Sequence, residues 1–342
     1  MTAAQGAAQG AAQGRAALVC SSHSPLMYCY ARPPACHAET ERLFAERQAA
    51  IRSFDPELVV AFGTDHFNGF FLDLVPPFCA GLKCTAVADI GGFPGPLRVP
   101  ADEALACIGA VRAAGVDLAV SYNMTVDHGF SQTMHRMLGA LAAYPVIPIF
   151  VNGILPPFVP FRRSRLLGAA IGRFAMSRGK RVLFLASGGM SHNPTRYYPD
   201  FGTGEPRVTA YQLSGGQSGG QAAGQAGGLS PAGWLERLDV MHREGAQMLV
   251  EGTRTRADIK LNPEVDRRLL DIFTGEDPER IDALDPVRMV AEAGIGSLEI
   301  HTWVAAVAAF RAAGGGLPTV DLYAEALEYG IAFGMLQGGL AA

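Results

Sequence analysis

The sequence lacks the cysteine spacings that hold zinc modules or small secreted domains together. Its 342 residues include six cysteines, which form no C-x-x-C pair and all lie in the first third of the chain. A disulfide framework or a zinc module requires regularly spaced pairs. We therefore expect free thiols of the kind that a reducing cytoplasm maintains. The six are Cys20, Cys29, Cys36, Cys79, Cys84 and Cys107.

Long apolar runs and a strong charge bias are absent as well. No apolar run is long enough to cross a bilayer, and the N-terminus has neither the basic part nor the leucine-rich part of a secretory signal. The formal net charge of -4 gives no electrostatic reason to bind phosphate backbones or anionic lipid. Nucleic acid and membranes are therefore not expected partners.

The chain does contain short apolar runs that alternate with segments of helical periodicity. A hydrophobic content of 49% and a charged content of 18% are ordinary for a globular enzyme. The alternation favours strand–helix–strand units. We predict a single α/β domain with a central mixed or mostly parallel sheet flanked by helices. The predicted strands are Ala16–Cys20, Leu58–Gly63, Cys84–Ala88, Leu118–Ser121, Val146–Val151 and Val182–Ser187, and the predicted helices between them are Ala38–Phe54, Ala101–Ala114, Phe130–Ala143 and Phe161–Ser177.

After Ser187 the pattern becomes mostly helical, so the sheet is predicted to end there and the C-terminal part to be helical. The folded domain is predicted to span residues 16–342. A tail over residues 1–15 and a Gly/Gln/Ser insert within residues 210–230 are too poor in apolar residues to offset their ordering entropy. We expect both to be flexible, with a lid over the active site as the alternative for the insert. The predicted C-terminal helices are Pro231–Gly252, Pro263–Phe273, Asp285–Ala293 and Leu298–Ala313, with a last helical stretch over Tyr323–Phe333.

Four of the eight histidines follow predicted strands or their loops: His23, His66, His128 and His192. In open α/β sheets the loops beyond the carboxyl ends of the strands converge on one crevice. A single loop histidine beside Gly or Pro is more often a turn residue than a ligand. Four such residues at four strand ends favour a shared task.

A metal site built on these imidazoles would need a carboxylate if the ion is Fe(II) or Mn(II), because a mixed nitrogen and oxygen set leaves coordination positions open. Zinc accepts similar ligands, so the spacing alone does not select the metal. Asp65 and Asp127 stand directly beside histidines and fit better as residues that orient them. Glu299 opens a predicted apolar helix, where it is either a ligand or an acid favoured by the helix dipole.

The other histidines are predicted to have structural roles. His301 comes two positions after Glu299, so on a helix it would face elsewhere and serve in packing or hydrogen bonding. His37, His135 and His242 lie within or beside helical segments and are predicted at the surface.

The segments around the four strand-end histidines resemble the class III extradiol dioxygenases, the superfamily of the protocatechuate 4,5-dioxygenase catalytic subunit. The likeness runs from about Cys20 to Tyr198 and resumes at Glu299. Taken together, its segments are highly specific. They include Ser22-His-Ser-Pro25, Asp65-His-Phe-Asn-Gly-Phe-Phe71, Val126-Asp-His-Gly-Phe130, the helix bearing Gly168 and Gly172, Lys180-Arg-Val-Leu-Phe-Leu185 and Glu299-Ile-His-Thr-Trp-Val-Ala-Ala306.

The resemblance implies an Fe(II) site of two histidines and one carboxylate, formed here by His23, His66 and Glu299. It also implies that His128 and His192 are the catalytic acid–base pair, a role that suits imidazoles because they titrate near neutral pH. The implied reaction is extradiol (meta) cleavage of a catechol by insertion of both atoms of O2. The expected substrate is a 3-substituted catechol such as 2,3-dihydroxyphenylpropionate, and the expected enzyme is a cytoplasmic homo-oligomer.

Two other functions fit the same residues. One is a relative of the same fold that has lost catalysis and acts as a binding protein, since a fold does not fix a function. The other is a zinc or manganese hydrolase with the same ligands. A carboxylated substrate would require an Arg or Lys partner. The candidates are Arg162, Arg163, Arg165 and Arg196, for which solvated surface charge is the commoner role.

Overall fold

The computed structural model describes residues 16–216 and 228–341. The predicted N-terminal tail, residues 1–15, lies outside the described residues, as does the central part of the predicted insert, residues 217–227. The start of the segment predicted as insert is helical, because a helix spans Pro206–Ser214. The flexibility of the tail and insert, and the lid alternative, stay predictions.

The centre of the fold is a mixed sheet of eight strands among the residues that the structure describes. In chain order the strands are β1 (Ala16–Ser21), β2 (Leu58–Gly63), β3 (Phe78–Gly81), β4 (Cys84–Ala86), β5 (Gly95–Pro96), β6 (Ala119–Ser121), β7 (Met124–Val126), β8 (Val146–Val151), β9 (Val182–Ser187), β10 (Thr319–Ala326) and β11 (Ile331–Gly338). The order in the main sheet is β10-β11-β1-β9-β2-β8-β3-β6. β1, β9, β2 and β8 are parallel neighbours and almost entirely buried, as expected of apolar strands that are covered on both faces. The predicted fold class is confirmed.

Helices cover both faces of this sheet. In chain order they are α1 (His37–Phe54), α2 (Ala101–Ala113), α3 (His128–Leu138), α4 (Phe161–Ser177), α5 (Pro206–Ser214), α6 (Pro231–Glu251), α7 (Arg256–Ile259), α8 (Pro263–Thr274), α9 (Pro286–Ala293) and α10 (His301–Ala312). Successive side chains of a strand point to opposite faces. In β2, Val59 and Ala61 join the core beneath α1 and α3, whereas Val60 and Phe62 join the core beneath α4 and α10. The six cysteines are free thiols, as predicted, and no helix of the described residues could span a bilayer.

The C-terminal hairpin corrects two predictions. Tyr323–Phe333 was expected to be helical and the sheet to end after Ser187, but β10 and β11 form an antiparallel hairpin that extends the sheet beside β1. Gly330 has a φ of 69°, which ends the helical turn between the two strands. The apolar β11 is buried along β1, and this pairing overrides the local helix preference of the alanine- and glutamate-rich segment before it.

Three short strands form a separate small sheet with the order β5-β4-β7. The predicted strand Cys84–Ala88 corresponds to β4 in this sheet, whereas β3, β5 and β7 were not predicted. Strands of two to four residues are too short to produce a readable period. β7 matters for function because it leads directly into α3 and its first residue, His128.

Helices α4 and α10 pack with their backbones unusually close together. A Cβ atom added to Gly168 would lie 2.0 Å from the carbonyl oxygen of Ala305, and one added to Gly172 would lie 2.2 Å from that of Ala309. Both positions therefore require glycine. This contact fixes α10 against the sheet and hence the position of the residues that precede it, including Glu299.

Replacing Gly168 with alanine is expected to lower the free energy of unfolding by about 1–3 kcal/mol, because overpacking forces the two helices apart. Gly109→Ala is the matched control, since Gly109 lies in the interior of α2 with no atom within 4 Å of the added Cβ. That variant should gain about 0.5–1 kcal/mol from the lower entropy of its unfolded chain. Urea unfolding followed by circular dichroism measures both, and equal effects would contradict the close-packing argument.

Candidate active site

Three of the four strand-end histidines lie in loops that leave neighbouring parallel strands. His23 follows β1, His66 follows β2 and His192 follows β9. These strands are adjacent in the sheet and run in the same direction. Their carboxyl ends therefore meet at one edge, and the three buried imidazoles share one crevice there.

His128 enters the crevice as the first residue of α3. The preceding residue, Asp127, caps the helix by accepting a hydrogen bond from the N–H of Gly129 over 2.8 Å. The backbone N–H of His128 donates to Asp89 Oδ1 over 3.0 Å, and its Nδ1 pairs with Asp89 Oδ2. Because Nδ1 is occupied, only Nε2 of His128 is free to act in the crevice.

Glu299 reaches the crevice from the far end of the sequence. It lies in a 3-10 turn, Ile295–Ile300, that leads into α10, and it is 1% exposed. Its Oε2 lies 3.3 Å from Nε2 of His23, and its Oε1 lies 3.3 Å from Nε2 of His66. The N–H of Gly189 also donates to Oε2 over 3.1 Å. The structure thus brings together the three residues predicted as metal ligands.

His192 completes the cluster on the other side of Glu299. Its Nε2 lies 3.5 Å from Glu299 Oε1, and its Nδ1 lies 2.8 Å from the carbonyl oxygen of Met190. Cβ atoms on Gly189 or Gly296 would come within 2.3 Å of the imidazole ring. The ring is therefore held between two glycines with its Nε2 directed at the carboxylate.

Polar residues outside the crevice orient its imidazoles. His23 Nδ1 lies 2.9 Å from the hydroxyl of Ser187, which lies 2.9 Å from the hydroxyl of Thr133. Asp127 accepts a hydrogen bond from the backbone N–H of His66 over 2.7 Å and lies 3.3 Å from its Nδ1. Such partners fix the tautomer and direction of ligating imidazoles. Asp127 thus has the orienting position that the sequence predicted for it.

Burial governs the protonation of His23 and His128. It lowers the pKa of each to about 3, with the neighbouring charge of His66 adding to the effect at His128. Both imidazoles are therefore neutral at pH 7. A neutral imidazole is the form that binds a metal ion or accepts a proton.

Glu299 and His66 are charged despite their burial. Burial alone would raise the pKa of Glu299, but the electrostatic interaction with the imidazole of His23 and the hydrogen bond with His192 hold it well below its usual value. Burial would likewise lower the pKa of His66, but the carboxylate of Asp127 raises it well above its usual value. An ionised carboxylate and a proton that a metal ion could displace are both in place at neutral pH.

Two sets of possible metal ligands share this crevice. One consists of the imidazoles of His23, His66 and His128, and the other of His23, His66 and the carboxylate of Glu299. Ligand atoms of His23, His66 and His128 all lie within 4.8 Å of one another, and Glu299 adds oxygens next to the first two. The rings of His66 and His128 are stacked, with centroids 4.2 Å apart and planes 19° apart, whereas the ring of His23 is tilted 86° from that of His66. Nitrogen lone pairs lie in the ring plane, so stacked rings direct theirs side by side instead of at one point.

Further residues that the sequence did not identify as functional line the same cavity. Asp89 is buried against His128, and Tyr197, Tyr198, His242 and Arg254 line the wall next to the four histidines. Asp89 follows β4 in a loop whose sequence has no distinguishing motif. The remaining four lie in the C-terminal half: Tyr197 and Tyr198 in the long loop after β9, His242 on α6, and Arg254 between α6 and α7.

His242 corrects the prediction of a surface histidine. It is 1% exposed, its ring stacks on Tyr197 at a centroid distance of 3.9 Å, and its Nδ1 lies 2.7 Å from the carbonyl oxygen of Leu238. The sequence did indicate this burial, because the helical spacing of Trp234, Leu238 and Leu249 places His242 on the same apolar face of α6. His301 has the predicted packing role, with its ring stacked on Phe161.

None of the arginines proposed for substrate binding lines this cavity. Arg165 pairs with Asp282 and Glu279, and Arg196 pairs with Glu244. These ion pairs agree with the structural role that the sequence left open for them.

Comparisons with known proteins identify the family. Residues 17–327 match the family model described as the catalytic LigB subunit of aromatic ring-opening dioxygenase. The chain is 42% identical over 304 residues to 2,3-dihydroxyphenylpropionate/2,3-dihydroxicinnamic acid 1,2-dioxygenase 1 of Pseudomonas putida, covering 87% of this chain and 90% of that protein. It is 38% identical over 319 residues to the 2,3-dihydroxyphenylpropionate/2,3-dihydroxicinnamic acid 1,2-dioxygenase of Burkholderia vietnamiensis, covering 93% and 96%. A solved structure of an uncharacterised Escherichia coli K12 protein aligns with a TM-score of 0.45 at 10% identity over 94% of this chain and 98% of that one, which is too weak to bear on the fold.

The family match covers every histidine of the crevice and Glu299, and two relatives near 40% identity are aligned along almost their whole length. The resemblance predicted from the sequence segments is therefore confirmed. The chain belongs to the family of the catalytic LigB subunit of aromatic ring-opening dioxygenases.

Proposed function

We propose that the protein is an Fe(II)-dependent extradiol dioxygenase that opens the ring of a 3-substituted catechol such as 2,3-dihydroxyphenylpropionate and inserts both atoms of O2. The observation that carries this proposal is the buried carboxylate of Glu299, 3.3 Å from the Nε2 atoms of both His23 and His66. The names of the relatives from Pseudomonas putida and Burkholderia vietnamiensis support the choice of substrate. We also propose that the enzyme is a cytoplasmic homo-oligomer: its free thiols support the compartment, and the family resemblance is the basis for the assembly.

The donor atoms fit a ferrous ion held by His23, His66 and Glu299. Two imidazole nitrogens and one carboxylate form the mixed set that suits Fe(II) and leaves other positions open. A carboxylate with 1% exposure requires a compensating positive charge, and a metal ion would supply it in place of the proton on His66. His128 fits less well as a ligand, because no nitrogen of its ring lies within 4.0 Å of the Glu299 carboxylate, whereas those of His23 and His66 do.

Bound Fe(II) would supply the open coordination positions and the redox chemistry that the combination of O2 with a catechol requires. The protein residues would orient the diol and move protons. His128, neutral and fixed by Asp89, is placed to accept a proton from a catechol hydroxyl through its Nε2. His192, with its ring fixed between two glycines, is placed to return a proton from the other side of Glu299.

Reconstitution with Fe(II) under anaerobic conditions tests this proposal. On addition of air and 2,3-dihydroxyphenylpropionate, a yellow ring-fission product should form with stoichiometric consumption of O2. Protein loaded with Zn(II) is the control and should form none, since zinc has no redox chemistry. The absence of product from every substituted catechol tried, with iron bound, would refute the oxygenase and favour a binding protein. Metal-dependent hydrolysis without O2 uptake would favour the hydrolase.

A further inference from the structure

Arg254 is a buried cation in the wall of the catalytic cavity. It lies between α6 and α7, and it is 6% exposed. Its backbone N–H donates to the carbonyl oxygen of Met248 over 3.1 Å, which folds the segment back onto the end of α6. Among the residues that line the cavity in the described part of the chain, it is the one arginine, and no lysine joins it.

The guanidinium of Arg254 is held by neutral groups. Nη1 donates to the hydroxyl of Tyr197, and Nη2 donates to the carbonyl oxygen of Asn193 over 3.4 Å. The guanidinium carbon also lies 5.1 Å from the centroid of the Tyr197 ring. These bonds use two of the five N–H donors of an arginine and none of them neutralises its charge.

No carboxylate of the described residues forms an ion pair with Arg254 at 4.0 Å or less. The acid next along the chain, Asp258, is occupied by the N-terminal cap of α7, where it accepts hydrogen bonds from the N–H and hydroxyl of Thr255. Arg165 and Arg196, by contrast, have carboxylate partners. A buried and uncompensated charge is costly, so a position of this kind indicates an anionic ligand.

We propose that Arg254 binds the side-chain carboxylate of the catechol substrate. This inference rests on the proposed function and adds to it the group that selects an acidic substrate. One cavity then contains both groups that the substrate requires: His23, His66 and Glu299 to hold the metal that binds the diol, and Arg254 to bind the carboxylate. Tyr197 positions the guanidinium, and His242 packs against the ring of Tyr197.

An arginine suits this role better than a lysine would. Its planar fork forms two parallel hydrogen bonds to a carboxylate, which fixes the direction of the side chain as well as its charge. The relatives are named for a propionate and a cinnamic acid, both of which have a carboxylate at the end of a three-carbon chain. A catechol with a neutral side chain would leave the buried guanidinium unpaired and should bind less well.

Kinetics with a matched pair of substrates measure this selectivity. With iron-loaded protein, Arg254→Gln should raise the KM for 2,3-dihydroxyphenylpropionate roughly 10- to 100-fold, the usual loss for charge-assisted hydrogen bonds. The KM for 3-propylcatechol, which has a neutral chain of similar length, should change less than about threefold. The KM of Arg254→Lys for 2,3-dihydroxyphenylpropionate should lie between that of Arg254→Gln and that of the unsubstituted protein, because lysine keeps the charge but lacks the planar fork.

Arg237→Gln is the matched control. Arg237 lies on α6, donates to the carbonyl oxygen of Tyr197 and stands over the ring of Trp234, but it does not line the cavity. Its replacement should leave the preference between the two substrates unchanged. The assignment would be overturned if KM rose equally for both substrates in Arg254→Gln. It would also be overturned if Arg237→Gln lost the preference for the acidic substrate as fully as Arg254→Gln does.

A second measurement requires neither iron nor turnover. Isothermal titration of metal-free protein with 3-phenylpropionate, which has no hydroxyl groups, should show binding that is at least about tenfold tighter than that of the neutral 3-phenylpropionamide. This comparison uses the unsubstituted protein, so it holds even if Arg254→Gln fails to fold. Equal affinities would refute a carboxylate site. Selective binding of the acid here, combined with no ring cleavage by the iron-loaded protein in the reconstitution experiment, would support the Arg254 site while refuting the proposed oxygenase.

Discussion

Replacing Glu299 with glutamine is expected to lower the affinity for Fe(II) more than about 100-fold, since even the loss of a partner outside the ligand set costs up to that much. The substitution preserves shape and removes the negative charge that lies 3.3 Å from His23 and His66. Ring cleavage should fall in proportion to the iron lost. Anaerobic titration with Fe(II), followed by metal analysis after desalting, measures the affinity directly.

Glu236→Gln is the control for this experiment, because Glu236 is exposed on α6 and removing its charge should not change iron binding. His66→Ala should lose iron as Glu299→Gln does. Unchanged iron affinity in Glu299→Gln would show that the carboxylate is not a ligand. It would leave the three imidazoles of His23, His66 and His128 as the alternative donor set.

The sequence predicted the parts of the site that follow strands. His23, His66 and His192 were placed correctly because apolar runs locate strands, and parallel strands bring their carboxyl ends to one edge. β2, β8 and β9 were predicted with the bounds that the structure has. Local periodicity was sufficient here, since each of these strands is six residues long and buried on both faces.

Residues placed by helix packing could not be located in this way. The position of Glu299 depends on the approach of α10 to α4 at Gly168 and Gly172, a contact between segments more than a hundred residues apart. The sequence by itself left Glu299 undecided between a ligand and a helix-start acid, and only the family resemblance assigned it. Arg254 was missed for the same reason, because nothing near it in the chain marks it as buried.

The C-terminal hairpin was missed because its stability depends on a distant partner. Thr319–Ala326 contains residues that favour a helix when read alone, but β11 pairs with β1 at the other end of the chain. Backbone pairing with a buried strand outweighs an intrinsic preference of a few tenths of a kcal/mol per residue. The hairpin also contributes Tyr329, Gly330 and Ile331 to the wall of the catalytic cavity.

Substitution of His128 and of His192 is expected to separate proton transfer from metal binding. His128→Ala and His192→Ala should each retain iron affinity within a few-fold and lose about 10²–10⁴ in turnover, which is the usual contribution of an acid or base. Neither residue belongs to the proposed ligand set, and the Nδ1 of each ring is committed to Asp89 or to the carbonyl oxygen of Met190. The Nε2 atoms are then the groups available to exchange protons with a substrate.

His135→Ala is the matched control for these variants. His135 also lies on α3, but its ring stacks on Phe93 at 3.7 Å and lies outside the catalytic cavity. It should retain both iron and turnover. Iron titration and the initial rate of product formation on the same samples distinguish the two roles. Loss of iron in His128→Ala would make it a ligand and contradict its role as a base, whereas full turnover in either variant would remove that residue from the acid–base pair.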